Sequence, residues 1–272
     1  MFNRHCAGLF RLAAALVLTG CSSLGQDIDA QAAASGFTRM VLTGIGYEHV
    51  TYQNQRDGPS LHVYIENDGN PWTSRYAVAS DPTPVRPLML ELMALDAEPS
   101  VYLGRPCYFG RASTPPCIPL DWTHERYSER IVASMAAALR QAMSARQLTG
   151  IVFFGHSGGG TLAVLLAQRF PQTSAVVTLA ANLDITAWVR MHGYTPLRGS
   201  LNPADQSPLA SGILQKHYIG TLDRNVTPDM LRRFAQRQPR AQVIELQGFN
   251  HECCWKLRWA TVLQELKVDL KH

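Results

Sequence analysis

The stretch IVFFGHSGGGTLAVLLAQRF, residues 151–170, decides how this chain folds. Its first four residues are apolar, which is typical of a central parallel strand buried on both faces. Residues 161–170 are typical of a helix. Ser157 lies between the two segments, among four glycines. The stretch therefore predicts a buried strand that turns sharply into a helix, with a serine at the turn.

Two interpretations make this turn a phosphate-binding loop, and each lacks a residue that it needs. Gly155 and Gly160 have the spacing of a nucleotide-binding P-loop, but Thr161 stands where that loop carries its lysine. Gly158, Gly160 and Ala163 match the looser fingerprint of a dinucleotide-binding turn. The strand that follows has no clear acidic residue at its end to hold a ribose. Both interpretations are therefore weak.

The third interpretation is a nucleophile elbow, G-x-S-x-G, over residues 155–159. Such a turn places the serine at its tip, and it needs small neighbours because the strand and helix backbones nearly touch. The helix N-terminus then directs free N–H groups toward a negative oxygen beside Ser157. This arrangement suits an acyl-transfer nucleophile, provided that the chain also supplies a base and an acid.

Both partners occur later in the chain. Residues 217–228, HYIGTLDRNVTP, are a strand followed by a turn that carries Asp223. Residues 243–255, VIELQGFNHECCW, are a strand followed by a loop that carries His251. The order serine, acid, histidine resembles that of the α/β-hydrolase family, and the resemblance covers roughly residues 40–270.

The resemblance implies a catalytic triad. Ser157 would attack a carbonyl carbon, His251 would remove the serine proton, and Asp223 would hold the imidazole. Asp184, which follows the preceding strand, is the rival for the role of the acid. Neither a metal nor an organic cofactor is implied.

The resemblance also implies two backbone N–H donors for the developing oxyanion. One is Gly158, directly after the serine. The other lies in the loop after the third strand, within YIENDGNPW, residues 64–72. We expect Asp68 to supply it, with Asn67 and Gly69 as the alternatives. We also expect the Asp68 side chain to point away and to bond the loop backbone.

Strand-like and helix-like segments alternate along the chain, which predicts an α/β fold with a mostly parallel central sheet and helices on both faces. TRMVLTG (38–44) and EHVTYQN (48–54) predict an antiparallel pair at its start. Residues 182–212 form a long connection that contains four large side chains, Trp188, Met191, Tyr194 and Leu197. These side chains either line an acyl pocket, as part of a cap or lid, or pack over the sheet edge.

The first 20 residues resemble the signal peptide of a bacterial lipoprotein. Arg4 and Arg11 flank the start of an apolar run that is too short to span a bilayer. The run ends in the tetrapeptide LTGC, which resembles the lipoprotein cleavage box. We therefore expect removal of residues 1–20, lipidation of Cys21, a tether over 21–36 and a hydrolase domain over 37–272.

This expectation has consequences for location. A lipid on Cys21 would anchor the chain to a membrane of the bacterial cell envelope, and Ser22 and Ser23 favour the outer membrane over the inner one. The alternative is an ordinary secretory signal with a chance cysteine.

Export predicts an oxidising compartment, so the cysteines beyond Cys21 are candidates for disulfides. Cys107 and Cys117 bracket a short loop with Gly and Pro, and we expect them to be bonded. Cys253 and Cys254 are adjacent; they are free and buried, form a vicinal bridge, or exchange with the other pair. No cysteine or histidine cluster has the spacing of a zinc site.

Charge excludes one class of partner. The net charge is +4, and without Arg4 and Arg11, 23 basic residues face 21 acidic ones, which leaves about +2. No basic stripe with interleaved aromatic residues is present, so we expect no nucleic-acid partner.

The sequence as a whole predicts a serine hydrolase that cleaves an ester-type bond of a small-molecule acyl substrate through an acyl-enzyme, most like a carboxylesterase or lipase. The alternatives are a thioesterase, a peptidase, or a catalytically inactive hydrolase-fold lipoprotein that binds its ligand.

Overall fold

The computed structural model describes residues 24–271. The strands, in chain order, are β1 (Thr38–Thr43), β2 (Glu48–Gln53), β3 (Ser60–Ile65), β4 (Trp72–Ser74), β5 (Ala77–Val78), β6 (Ser100–Leu103), β7 (Gly150–His156), β8 (Thr173–Leu179), β9 (Leu214–Gly220) and β10 (Ala241–Leu246). The helices are α1 (Leu24–Ala34), α2 (Leu88–Met93), α3 (Glu129–Arg146), α4 (Gly158–Ala167), α5 (Ile185–His192), α6 (Pro228–Ala235) and α7 (Trp255–Asp269).

Eight strands form the central sheet, in the order β1-β2-β6-β3-β7-β8-β9-β10. β2 pairs antiparallel with both β1 and β6, and all other neighbours in this sheet are parallel. β4 and β5 form a separate hairpin. The predicted mostly parallel α/β sheet is confirmed, as is the antiparallel pair at its start.

Helices cover both faces of the sheet. Successive residues of a strand point to opposite faces, and β7 shows this with two phenylalanines. The ring of Phe154 lies 5.3 Å from Trp259 of α7, whereas that of Phe153 lies 6.0 Å from Phe170, which follows α4. All four rings are buried. The continuous apolar run of β7 is therefore explained by burial on both of its sides.

The segment predicted as a tether is different in the structure. Residues 24–34 form α1, which packs on the domain through the buried side chains of Ile28 and Ala32. Asp29 accepts hydrogen bonds from the Tyr52 hydroxyl at 2.6 Å and from Arg39 Nε at 2.9 Å. The small, polar composition suggested a spacer, but apolar residues four positions apart lie on one face of a helix and bury together. The tether expectation is therefore wrong for residues 24–34.

The expected disulfide between Cys107 and Cys117 is present, with an S–S distance of 2.11 Å. The structure also bonds Cys253 to Cys254, the vicinal bridge among the three alternatives.

Two further expectations concern the N-terminus. Residues 1–20 and Cys21 lie outside the described residues, so the signal peptide and the lipidation site remain predictions. Within residues 24–271, no helix is both long enough and apolar enough to cross a membrane.

Candidate active site

Ser157 occupies the sharp turn between β7 and α4, with φ of 52° and ψ of −121°. A positive φ is strained for a residue with a side chain, and such strain is typical of functional turns. The neighbouring glycines allow the turn to form. A Cβ on Gly155 would lie 2.3 Å from the Gly159 carbonyl oxygen, and one on Gly159 would lie 2.1 Å from the Ile65 carbonyl oxygen. The glycine-rich turn thus lets the strand and helix backbones approach each other.

The structure brings Ser157, Asp223 and His251 together. Asp223 follows β9 and His251 follows β10, so both lie at the carboxyl edge of the parallel strands, where β7 also ends. His251 Nδ1 is 2.8 Å from Asp223 Oδ2, and His251 Nε2 is 3.0 Å from Ser157 Oγ. This geometry lets the imidazole receive the serine proton while the carboxylate holds its far side.

Asp223 is held rigidly in place. Its side chain is fully buried, and its Oδ1 accepts the backbone N–H groups of Asn225 at 2.8 Å and Val226 at 2.9 Å. The rival acid, Asp184, instead caps α5 by accepting the Ala187 N–H at 3.0 Å. The acid beside His251 is therefore Asp223.

Two residues beside His251 were not singled out in the sequence. His156 lies buried in the elbow, and its Nε2 is 2.9 Å from the His251 carbonyl oxygen. Asn225 Nδ2 is 3.0 Å from His251 Nε2. His156 directly precedes Ser157 in the G-x-S-x-G motif, and Asn225 stands two residues after Asp223. Their closeness to these motifs is the only feature of the sequence that could have indicated them.

The loop after β3 approaches the start of α4. Asn67 N–H donates to Glu66 Oε1 at 3.0 Å, and Gly69 N–H donates to Asn67 Oδ1 at 2.7 Å. Within the described part of the chain, the Asp68 N–H alone among these three amides has no protein acceptor. Gly158 is the first residue of α4, where the N–H has no partner within the helix. Among the described residues, neither predicted donor N–H therefore has a protein acceptor.

The Asp68 side chain departs from the expectation. It does not bond the loop backbone: Tyr127 Oη donates to it at 2.6 Å, Arg126 Nη1 at 2.9 Å, and Arg105 Nη1 forms an ion pair at 2.8 Å. A Cβ on Gly158 would lie 2.0 Å from Asp68 Oδ1, so the carboxylate packs against the start of α4. Two arginines from the following loops attract it there, which the local sequence did not reveal.

The arginines also determine the ionisation of Asp68. Burial alone would raise the pKa of this carboxyl, but Arg105 and Arg126 outweigh that effect and hold the pKa below its ordinary value. Because Arg105 and Arg126 neutralise its charge, the Asp68 carboxylate repels a developing negative charge near the Asp68 and Gly158 amides only weakly.

A cleft of about 840 Å³ opens above Ser157 and His251. Polar, charged and apolar side chains all line it. Its lining includes Asn67, Asp68, Arg126, Asn182, Asn225, Val85, Leu88, Trp188, Trp255 and Leu257. Of the four large side chains expected in the 182–212 connection, Trp188 lines this cleft. Met191 and Tyr194 are exposed, and Leu197 packs against the core.

Within residues 24–271, no group of three or more His, Cys, Asp or Glu side chains is placed to hold a metal ion.

No family model matches the sequence, and no curated protein matches it significantly. Solved structures do resemble the fold. TT1662 from Thermus thermophilus has a TM-score of 0.60 at 15% identity, with 87% of this chain and 99% of that chain covered. Est1E from Butyrivibrio proteoclasticus has a TM-score of 0.56 at 15% identity, covering 85% and 98%.

An alpha-beta serine hydrolase homologue from Coxiella burnetii has a TM-score of 0.54 at 12% identity, covering 86% of this chain and 97% of that one. These likenesses and the sheet topology show that the chain has the α/β-hydrolase fold.

Proposed function

We propose that this protein is a serine hydrolase that cleaves an ester-type bond of a small acyl substrate through an acyl-enzyme, as carboxylesterases and lipases do. The observation that carries the proposal is the chain of contacts from Ser157 Oγ to His251 Nε2, 3.0 Å, and from His251 Nδ1 to Asp223 Oδ2, 2.8 Å. The fold, which is shared with a serine hydrolase homologue, supports it as an analogy.

In the first half-reaction, Ser157 Oγ attacks the substrate carbonyl carbon while His251 Nε2 takes the serine proton. Asp223 keeps the imidazole in the tautomer with hydrogen on Nδ1 and stabilises the imidazolium. His251 then gives its proton to the leaving group as the carbon–oxygen bond breaks. In the second half, water attacks the acyl-enzyme, and the same proton transfers release the acid and restore Ser157.

The developing oxyanion is stabilised by the backbone N–H groups of Gly158 and Asp68. Each such donor contributes about 3 kcal/mol of transition-state stabilisation in comparable sites. The N–H groups of Asn67 and Gly69 already donate to side-chain oxygens within the loop, whereas the Asp68 N–H has no protein acceptor among the described residues. This difference supports Asp68 as the second donor, and the position of Gly158 in the first turn of α4 supports Gly158 as the first.

The cleft supports a small-molecule substrate. Its volume of about 840 Å³ lies within the range of small-molecule sites, and apolar side chains such as Leu88, Trp188 and Leu257 line it together with polar and charged ones.

A fluorophosphonate probe, which phosphonylates activated serines, tests the proposal. Wild-type protein should be labelled and should hydrolyse short-chain esters, and Ser157→Ala should lose both properties. Asp223→Asn and His251→Gln should be labelled far more slowly. Absence of labelling in wild-type protein, or equal labelling of Ser157→Ala, would instead favour a binding protein with a hydrolase fold.

We further propose that the protein is anchored by a lipid on Cys21 to the bacterial cell envelope, with the outer membrane as its destination. The apolar run and the LTGC tetrapeptide support this. Metabolic labelling with a palmitate analogue should mark wild-type protein and fail to mark Cys21→Ala. Labelled Cys21→Ala protein, or unlabelled wild-type protein, would contradict the anchor.

A further inference from the structure

Two hydrogen-bond donors approach His251 Nε2, which has only one lone pair to accept them. Because Nδ1–H is directed at Asp223, the neutral imidazole has its lone pair on Nε2. Ser157 Oγ and Asn225 Nδ2 both lie 3.0 Å from this atom. The serine hydroxyl is the donor that the proposed mechanism requires. The amide of Asn225 is an additional donor that the mechanism has not used.

The orientation of the Asn225 amide follows from its other neighbour. Trp188 Nε1 lies 3.1 Å from Asn225 Oδ1, and an indole N–H can only donate. The atom that faces Trp188 must therefore be the oxygen, which leaves the NH₂ group facing His251. The backbone is fixed as well, because Asn225 N–H donates to Asp223 Oδ1 at 2.8 Å and His192 Nε2 donates to the Asn225 carbonyl at 2.8 Å.

This orientation matters when His251 becomes protonated. Nε2 then carries a hydrogen and needs an acceptor, and the amide nitrogen of Asn225 has none to offer. Two N–H groups, one from His251 and one from Asn225, are then directed at the same small volume beside Ser157. The group that fills this volume must accept both.

We infer that Asn225 binds the leaving-group oxygen together with His251, and that it makes the site selective for oxygen esters over thioesters and amides. The inference rests on the proposed hydrolase function. The ester oxygen accepts the Asn225 N–H while it takes the Nε2 proton and its bond to carbon breaks. In deacylation, water occupies the same place: it accepts from Asn225 and gives its proton to His251.

The selectivity follows from counting lone pairs. An alkoxy oxygen has two lone pairs, so it accepts one hydrogen from His251 and another from Asn225. An amide nitrogen in the tetrahedral intermediate has one lone pair, which the His251 proton uses, so the Asn225 N–H is left without an acceptor. A thioester sulfur is only a weak acceptor. Only the oxygen leaving group gains from both donors.

The test compares an ethyl ester, an ethyl thioester and a para-nitrophenyl ester of the same short acyl group, with kcat/KM as the readout of acylation. Asn225→Leu should lower kcat/KM for the ethyl ester about tenfold, the effect of one hydrogen bond of ordinary strength. The other two substrates should change by about twofold or less, because sulfur and the weakly basic nitrophenoxide gain little from a hydrogen bond.

Asn225→Asp is the second variant, because it keeps an oxygen for Trp188, removes the N–H donor and adds a negative charge. Its ethyl-ester loss should be at least as large as that of Asn225→Leu. The acidic limb of its kcat/KM profile should move to higher pH, because a carboxylate beside Nε2 favours the imidazolium. Asn182→Leu, another asparagine change in the same cleft, is the matched control and should affect ester and thioester equally.

Equal losses on all three substrates in both Asn225 variants would overturn the inference and leave Asn225 a merely structural residue. Unchanged rates in both variants would overturn it as well. Neither result would touch the proposed function, which fails separately if wild-type protein hydrolyses none of the substrates and Ser157 is not labelled.

Discussion

His156 donates its Nε2 proton to the backbone carbonyl of His251 across 2.9 Å, and the two imidazole rings lie 5.2 Å apart. On its other side, His156 Nδ1 is 3.4 Å from Asn67 Nδ2 and 3.9 Å from Glu66 Oε1. The same carbonyl also accepts Trp255 Nε1–H at 3.1 Å. Two donors therefore fix the backbone from which the His251 side chain projects.

His156→Leu should lower kcat about tenfold with little change in KM, because losing one of two anchors lets His251 leave the position that it needs. His156→Gln, which keeps an N–H donor, should recover part of the loss. Steady-state kinetics on one ester measures both. A change confined to KM would show that His156 acts on substrate binding.

Asp68→Asn should lower the free energy of unfolding by about 3 kcal/mol at neutral pH, because Arg105 and Arg126 would remain buried without a counter-charge. The backbone N–H of residue 68 is retained, so Ser157 should still react with a fluorophosphonate at temperatures below the melting transition. Urea unfolding followed by tryptophan fluorescence measures the loss.

The Asp68 contribution should also depend on pH with a defined sign. Since the folded pKa lies below the ordinary value, the stabilisation is present above about pH 4 and is lost as pH falls through the folded pKa. The stability difference between wild-type protein and Asp68→Asn should therefore shrink in acid. A difference that stays constant down to pH about 3 would contradict the ion-pair explanation.

Buried histidines should make the whole fold less stable in mild acid. Burial lowers the pKa of His217 to about 3 and that of His49 to about 4, whereas an unfolded histidine titrates near 6.5. At pH values between the folded and unfolded pKa, the unfolded chain binds more protons than the folded one. The free energy of unfolding therefore falls as pH drops below about 6.5. His49 alone accounts for about 3 kcal/mol of this fall by pH 4.

His217→Gln isolates one of these terms, because glutamine does not titrate and can still bond Thr178 Oγ1, which lies 2.8 Å from His217 Nδ1. Its unfolding free energy should decline less than that of wild-type protein between pH 7 and about pH 4.5. An identical decline in the two proteins would exclude His217 as a source of the acid sensitivity.

The disulfide between Cys107 and Cys117 closes a short loop, with the two cysteines 10 positions apart. A loop of this size should contribute about 3 kcal/mol through the reduced entropy of the unfolded chain. The double variant Cys107→Ser, Cys117→Ser should lose about that amount in urea unfolding. If wild-type protein in reducing buffer matched oxidised wild-type protein, the bond would contribute nothing.

The features that the sequence predicted well are those set by local pattern. The run before Ser157 is apolar throughout because β7 is buried on both faces, and the strands before Asp223 and His251 end at the same edge because the sheet is parallel there. Segments of this kind carry their structure in residue type and spacing, so the elbow and the two strand-to-loop turns could be located without coordinates.

Side-chain partners were harder to predict, because they depend on loops distant in sequence. The Asp68 carboxylate pairs with Arg105 and Arg126, and neither arginine belongs to a sequence motif of the α/β-hydrolase fold. The Asn225 amide is oriented by Trp188, 37 residues earlier in the chain. Helix α1 was harder to predict for a different reason. Among the α1 side chains that the structure describes, Ile28 and Ala32 are the buried ones, and so small an apolar face does not stand out in a small, polar segment.

The docking of α1 changes what an anchor at Cys21 would do. Cys21 precedes the first residue of α1, Leu24, by three positions, and three extended residues span at most about 11 Å. Because α1 is fastened to the domain through Ile28, Ala32 and the bond from Asp29 to Tyr52, the spacer between the lipid and the folded domain would end where the helix begins. A lipid on Cys21 would thus hold the domain close to the bilayer in a restricted set of orientations, whereas a fifteen-residue random coil would let it swing freely, reaching about 20 Å.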